Sequence, residues 1–357
     1  MPSRRVVIAA YSVGLLVSLL LIFTFGELTI RLIHLMRDGI PFQEVPSGSV
    51  GAITLDARLG WRATAQYTRD LSETTGQGIP YRVHRSQHQF GFRSFGDPQS
   101  HRPKLLVIGD SYTQASAVSD NKTYHAMLGR ILGMEVFAYG AGGYGTLQEF
   151  LILDEVVAQV RPSMFLWQFC SNDFINNDHA LEVASTLNNN GWTRPYWEDG
   201  TIVMRSPKPT SVQLRDWIQS HSRFLYFVLN RVDRLWARAG VESVDYAIER
   251  AGFAHPGFGR AVRVTDDLVG RARARVGTIP MYAFNCDTSE PFTRAWEEIA
   301  RRHNIIFWRD VSQSVDFAVQ DGRDVLASDG HWNEQGHALI AQKLAEHFQK
   351  TRYIAVK

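Results

Sequence analysis

Apolar residues are grouped along this chain in two distinct ways. From Val6 to Phe25, twenty residues pass without a charged side chain, and at a rise of about 1.5 Å per residue some 20 such residues cross the hydrocarbon core of a bilayer. From Lys104 onward the texture changes to short apolar runs: Leu105 to Ile108, Glu135 to Ala138, Met164 to Phe169, Thr278 to Phe284 and Asn304 to Trp308. Each run stops at Gly, Asp or Asn and is followed by a helix-like segment. Short continuous apolar runs alternating with helices predict strands buried on both faces of a parallel sheet, and hence an α/β sandwich. In such sheets ligands bind beyond the carboxyl ends of the strands, so the residues just after each run are the ones to inspect.

The pattern divides the chain into an anchor (1–27), a stalk with an irregular cap (28–100) and a sheet-bearing domain (101–357). Glu27 to Arg37 can continue a helix out of the membrane before Pro41, Pro46, Gly48 and Gly51 break regular structure. A long insertion, about 176–277, separates the third run from the fourth. It holds an Asn-rich turn (Asn188, Asn189, Asn190, Gly191), an aromatic patch (Trp192, Tyr196, Trp197) and a helical pattern through Phe224, Leu225, Val228, Val232, Leu235 and Trp236.

Charge refines this division. The chain of 357 residues carries 38 Lys plus Arg against 36 Asp plus Glu, a balance unlike that of a nucleic-acid binder. Residues 205–275, however, contain thirteen basic and seven acidic residues, so the insertion is basic and the remainder mildly acidic. Solvated helix faces account for such an excess, and so does contact with a membrane surface or an anionic polymer. Arg4 and Arg5 before the apolar run predict a cytoplasmic N-terminus with the rest of the chain across the membrane. A cleaved signal peptide is the alternative, but its apolar region is usually shorter and ends at a small-x-small site, whereas here the run closes with Phe23, Thr24, Phe25, Gly26, Glu27. Cys170 and Cys286 are too few for a disulfide framework; they are either one bridge or two buried thiols.

Chemistry gathers where the sheet rule places it. After the first run comes Gly109-Asp110-Ser111-Tyr112-Thr113, a turn that can present a serine ahead of an Asp120-capped helix. After the second comes Gly140-Ala141-Gly142-Gly143-Tyr144-Gly145, whose bare backbone amides suit an oxyanion; the Lys-Ser/Thr of a phosphate loop is missing. The third ends in Cys170-Ser171-Asn172-Asp173, where an asparagine amide is a neutral donor. Near the C-terminus stands Ser328-Asp329-Gly330-His331-Trp332-Asn333. A serine becomes a good nucleophile when a histidine takes its proton, and that histidine needs an orienting carboxylate; Asp329 and His331 supply both. His331 with His337 could also ligate a metal, but no further Cys, His or carboxylate pattern accompanies them, and no metal or other cofactor is expected.

Ser111, Gly143, Asn172 and His331, in that order on successive strand ends, resemble the SGNH/GDSL hydrolase superfamily over about 104–350. Gly91-Phe92-Arg93 is similar to the element that precedes the first strand in its membrane-anchored bacterial members. The resemblance implies a flavodoxin-like three-layer α/β/α sandwich with five parallel strands, to which the N-terminal apolar run adds a transmembrane helix. It implies Ser111 as nucleophile, His331 as base and Asp329 as its acid, with an oxyanion hole from the amides of Ser111 and Gly143 and the side chain of Asn172. Two positions depart from the family pattern: Asp329-x-His331 is one residue shorter than Asp-x-x-His, and Ser171 replaces the glycine before Asn172.

The implied activity is ester hydrolysis through an acyl-serine. The expected substrate is an ester-bearing small molecule, lipid or glycan, in particular the O-acyl groups of an extracytoplasmic glycan or lipid. Asp110, Tyr112, Arg194, Tyr196 and Trp197 are candidates for binding it. An O-acyltransferase using the same residues, or a non-catalytic polysaccharide-binding or assembly protein that keeps the fold, are the alternatives. The third and fourth strands are neighbours in this sheet order, which places Cys170 and Cys286 face to face.

Overall fold

The computed structural model describes residues 3–38, 42–43, 49–207, 221–238 and 243–351. They belong to two compact units, residues 1–51 with 208–241 and residues 52–207 with 242–357.

The larger unit is built on a six-stranded sheet of β1 (Ser94–Phe95), β2 (Lys104–Gly109), β3 (Glu135–Gly140), β4 (Met164–Phe169), β5 (Met281–Asn285) and β6 (Ile306–Phe307), in the spatial order β6-β5-β4-β2-β3-β1. Five strands are parallel and β1 pairs antiparallel with β3 at the edge. The five parallel strands are those of the apolar runs. The two-residue β1 escaped that reading because it is too short to show a period.

The pleat explains why those runs are apolar throughout. Along β2, Leu106 and Ile108 enter one core while Leu105 and Val107 enter the other, because successive side chains of a strand point to opposite faces. Helices Thr146–Val160, Pro256–Val276 and Phe292–Arg302 cover the first face; Tyr124–Leu132, Asp310–Gln320 and Glu334–Lys350 cover the second. The result is a three-layer α/β/α sandwich.

Three expectations are revised. Residues 52–100 are regular rather than an irregular cap, forming antiparallel ribbons Ile53–Asp56 with Gly60–Ala63 and Tyr67–Thr74 with Pro80–Gln87 before β1. The insertion stops before Pro256, because Pro256–Val276 buries Phe258, Leu268, Val269 and Val276 against the sheet as the ordinary crossover helix into β5. Thr123, not Asp120, caps helix Tyr124–Leu132; Asp120 instead accepts from Ser86 N and from the buried Arg93 guanidinium, which also donates to the Gln114 and Val118 carbonyls.

In the smaller unit one helix, Arg4–Asp38, carries the apolar run and continues past residue 27 without a break. Its stretch Ala10–Arg37 is long and apolar enough to cross a membrane, with mean hydropathy 2.2 over its most apolar window and none of that window buried. A second helix, Arg223–Arg238, packs on it. Glu27 joins the two: its carboxylate accepts from Ser222 Oγ at 2.8 Å, Phe224 N at 2.9 Å and Arg223 N at 3.2 Å, and pairs with Arg31 at 2.7 Å. The orphan amides at the start of the second helix are thus satisfied from the first.

Candidate active site

The parallel strands end in register. Gly109 pairs with Gly140 and Asn285 with Phe169, so the turns after β2, β3, β4 and β5 open on one edge of the sheet. There they enclose a cleft of about 550 Å³ whose lining includes Ser111, Gly143, Asn172 and His331. The Ser111, Gly143 and Asn172 segments meet because each follows the C-terminus of a parallel strand at this edge; His331, 220 residues after Ser111, is not at a strand end as expected but arrives on the loop between helices Asp310–Gln320 and Glu334–Lys350.

The serine turn is held from within. Asp110 N-caps the short helix Ser111–Gln114, accepting Tyr112 N–H at 3.0 Å. Burial pushes the Asp110 carboxyl up to about 6 against the opposing pull of that N–H. Asp110 is 1% exposed and lies in the lining of the cleft next to the serine, as does Tyr112. No acceptor is seated on the main-chain N–H of Ser111 or Gly143 among the described residues.

His331 Nε2 lies 2.8 Å from Ser111 Oγ, the distance of a hydrogen bond ready for proton transfer. Its Nδ1 faces Asp329 Oδ2 at 3.1 Å as an oblique ion pair, while Asp329 Oδ1 accepts the His331 main-chain N–H at 3.0 Å. One carboxylate therefore fixes both backbone and ring, which the short Asp-x-His spacing permits. Tyr112 packs on the ring at 4.7 Å and against Trp332 at 4.5 Å. Burial draws the His331 pKa down, but Asp329 and, more weakly, Asp110 outweigh it, leaving the pKa above the ordinary 6.5; Asp329 in turn is held below its ordinary value by the histidine. His337 stands elsewhere, fully buried, with Nδ1 accepting Tyr124 N–H. Burial lowers its pKa to about 3, so it is neutral there.

The opposite wall is the Gly142-Gly143 turn. Gly143 has φ +72°, a left-handed conformation that disfavours any side chain. The turn is tied by Gln114 Oε1, which accepts Gly142 N–H, by Trp61 Nε1, which donates to Gly142 O, and by Arg194 Nη2, which donates to Gly143 O at 2.6 Å. Asn172 Nδ2 donates to Asn176 Oδ1 at 3.0 Å and Tyr144 O at 3.2 Å, which aims its amide along the same wall.

Three expected substrate contacts are corrected. Arg194 and Tyr196 are buried around Glu182, with Arg194 Nε at 3.1 Å and Tyr196 OH at 2.9 Å from its carboxylate, and Arg194 stacks over Trp61. Trp197 donates to Asp267 and lies under Arg271. None of the three lines the cleft. Arg194 reaches the site only through the Gly143 carbonyl.

Asp287 is a cleft residue that the sequence reading missed. It accepts Ser171 Oγ at 2.6 Å and Ser171 N at 3.2 Å and so tethers the residue before Asn172. Applying the strand-end rule to β5, which ends two residues earlier, finds it. Beside it, Cys170 and Cys286 are bridged, with Cα atoms 5.1 Å apart.

No protein-family model matches the sequence, and no curated protein does. Among solved structures, the chain is similar to a member of the lipolytic G-D-S-L family from Veillonella parvula, with 14% identity over 69% of this chain and 98% of that one and a TM-score of 0.35. It is also similar to a lipase/acylhydrolase from Enterococcus faecalis (14% identity, 69% and 96% covered, TM-score 0.36) and to an acetylxylan esterase from Geobacillus stearothermophilus (15%, 69% and 94%, TM-score 0.37).

Proposed function

We propose that the chain is a membrane-anchored serine esterase of the SGNH type, acting on O-acyl groups of an extracytoplasmic glycan or lipid. The observation that carries the reading is the 2.8 Å approach of His331 Nε2 to Ser111 Oγ. As Ser111 attacks the ester carbonyl, its proton passes to His331 Nε2, and Asp329 stabilises the imidazolium. Negative charge on the carbonyl oxygen meets the amides of Ser111 and Gly143 and the Asn172 side chain, whose longer bond, to Tyr144 O, gives way. His331 then protonates the leaving alkoxide. Water, activated by the same histidine, releases the acid and regenerates Ser111.

The cleft favours a hydroxyl-rich substrate. Its lining includes Asn188, Asn189, Asn190 and Glu249 beside Leu187 and Phe292, a largely polar wall that supports a substrate with hydroxyl groups near the ester. The anchor reading rests on Glu27. A segment that caps a helix 195 residues later is part of the folded protein, which supports retention of the apolar helix over its removal as a signal peptide. Arg4 and Arg5 then orient the sheet-bearing unit to the outer side.

A fluorophosphonate probe tests the chemistry. Labelling of the full-length protein that disappears in Ser111→Ala is expected, and an unlabelled wild type beside an active control enzyme would refute it. An ester panel run with and without carbohydrate acceptors separates release of free acid from acyl transfer.

A further inference from the structure

Helix Arg223–Arg238 has two faces. Phe224, Leu225, Val228, Leu229 and Val232 fall within one 140° arc of a helical projection, and Leu235 and Trp236 share it. Arg231, Arg234 and Arg238 fall on the other side of that projection, against one acid, Asp233, while Arg223 at the helix start is buried and its guanidinium meets His34 at 3.3 Å. The start of this helix is engaged by the first helix. Phe224 lies edge-on to Phe23 at 6.1 Å between ring centroids. Its ring covers Gly26, where a Cβ would stand 2.5 Å from it, so a glycine is required for that approach. Farther along, Leu229 and Val232 are exposed on the apolar side; Phe227 is also exposed but falls among the arginines, beneath the Arg231 guanidinium.

The height of the helix is set by its partner. The apolar run ends at Phe25, and Glu27, which caps the helix, follows two residues later, about 3 Å farther along the axis. If the anchor spans the bilayer, the basic amphipathic helix begins at the boundary between hydrocarbon and headgroups. A helix of this composition at that depth buries its apolar face among acyl chains and its arginines among phosphates.

We infer that helix Arg223–Arg238 is an interfacial helix that lies in the outer surface of the membrane and binds anionic phospholipid headgroups. The insertion thus carries a second membrane contact in addition to the transmembrane helix, clamped to it by Glu27. The inference rests on the anchor reading above. Each arginine close to an anionic surface strengthens the seating roughly five-fold, so the effect depends on lipid charge and salt.

The test uses the full-length protein in nanodiscs of phosphatidylcholine alone or mixed with phosphatidylglycerol, carrying an NBD fluorophore on Val232→Cys or, separately, on Leu20→Cys. Cys170 and Cys286 are bridged and are spared by labelling without reductant. Expected are blue-shifted emission at 232, quenching by lipids bearing headgroup-level nitroxides, a stronger effect with phosphatidylglycerol, and loss of that preference in Arg231→Glu/Arg234→Glu. A probe at 232 that stays water-like in both lipids while the probe at 20 is quenched overturns the interfacial helix alone. So does equal seating in both lipids, or protection only by a soluble polyanionic polysaccharide. A water-like probe at 20, or an intact mass showing loss of the N-terminus, overturns the anchor and the interfacial helix together.

Discussion

The two halves of the cleft are built by opposite means. On the proton-transfer side, the side chains of His331 and Asp329 remain 34% and 53% exposed, and a three-residue loop supplies both. On the amide side, the side chains of Arg194 and Glu182 are wholly buried: Arg194 reaches Gly143 from the hairpin of Arg194–Glu198 and Thr201–Arg205, and Glu182 pairs with it from helix His179–Ala184. Groups that exchange protons with substrate and water need access to solvent. A wall that must present fixed dipoles needs rigidity, and a buried charge pair stacked on Trp61 provides it.

The largest effect that would sharpen this contrast is expected from Ser111→Ala, with a loss of ester turnover on the order of 10⁴-fold or more while thermal stability is unchanged. Retained turnover would place the chemistry elsewhere. Arg194→Ala comes next. It strips the Gly143 carbonyl of its donor and leaves Glu182 buried without its cation, an expected cost of about 3–5 kcal/mol by denaturant titration. The fall in kcat should approach the roughly 10²- to 10³-fold loss of one oxyanion donor, with KM little changed. An Arg194→Ala protein as stable and active as wild type would erase the distinction between the halves.

Asp329→Asn tests the exposed half, where the oblique and accessible pair predicts a loss near the lower end of the 10²- to 10⁴-fold range of acid–base catalysis. The pH profile carries the sign. His331 works when neutral and its pKa is raised above 6.5, so kcat/KM falls as pH drops through that raised value. Removing the Asp329 charge removes the main raising interaction and leaves burial, which lowers the pKa, so the acid limb should move to lower pH. A limb that stays in place would show that Asp329 does not govern the histidine. The smallest effect on activity is expected from Cys170→Ala/Cys286→Ala. The bridge closes a loop of 116 residues and should contribute about 2–4 kcal/mol to stability, with kcat within a few-fold of wild type.

How much was legible from sequence follows the same division. Ser111, Gly143, Asn172 and His331 each stand a few residues beyond an apolar run or in a short polar loop, and these local signals survive in one dimension. The role of Arg194 does not, because its partners Gly143, Trp61 and Glu182 lie up to 133 positions away and no periodicity links them. For the same reason Tyr196 read as a sugar-stacking ring: a buried aromatic and an exposed one have the same neighbours in sequence. Helix Pro256–Val276 was grouped with the insertion because its five arginines masked the stripe of Phe258, Leu268 and Val269 that packs on the sheet.

By itself the sequence determined the parallel strands, the apolar helix and the polar turns between them. Those depend on side-chain period and on the cost of burying charge, which neighbouring residues settle. The tertiary structure decided which turns share one edge of the sheet, that Glu27 caps a helix from the insertion, and that Arg194 faces inward to a carbonyl rather than outward to substrate. Such choices rest on long-range pairing of buried polar groups, whose partners exist only once the chain has closed on itself.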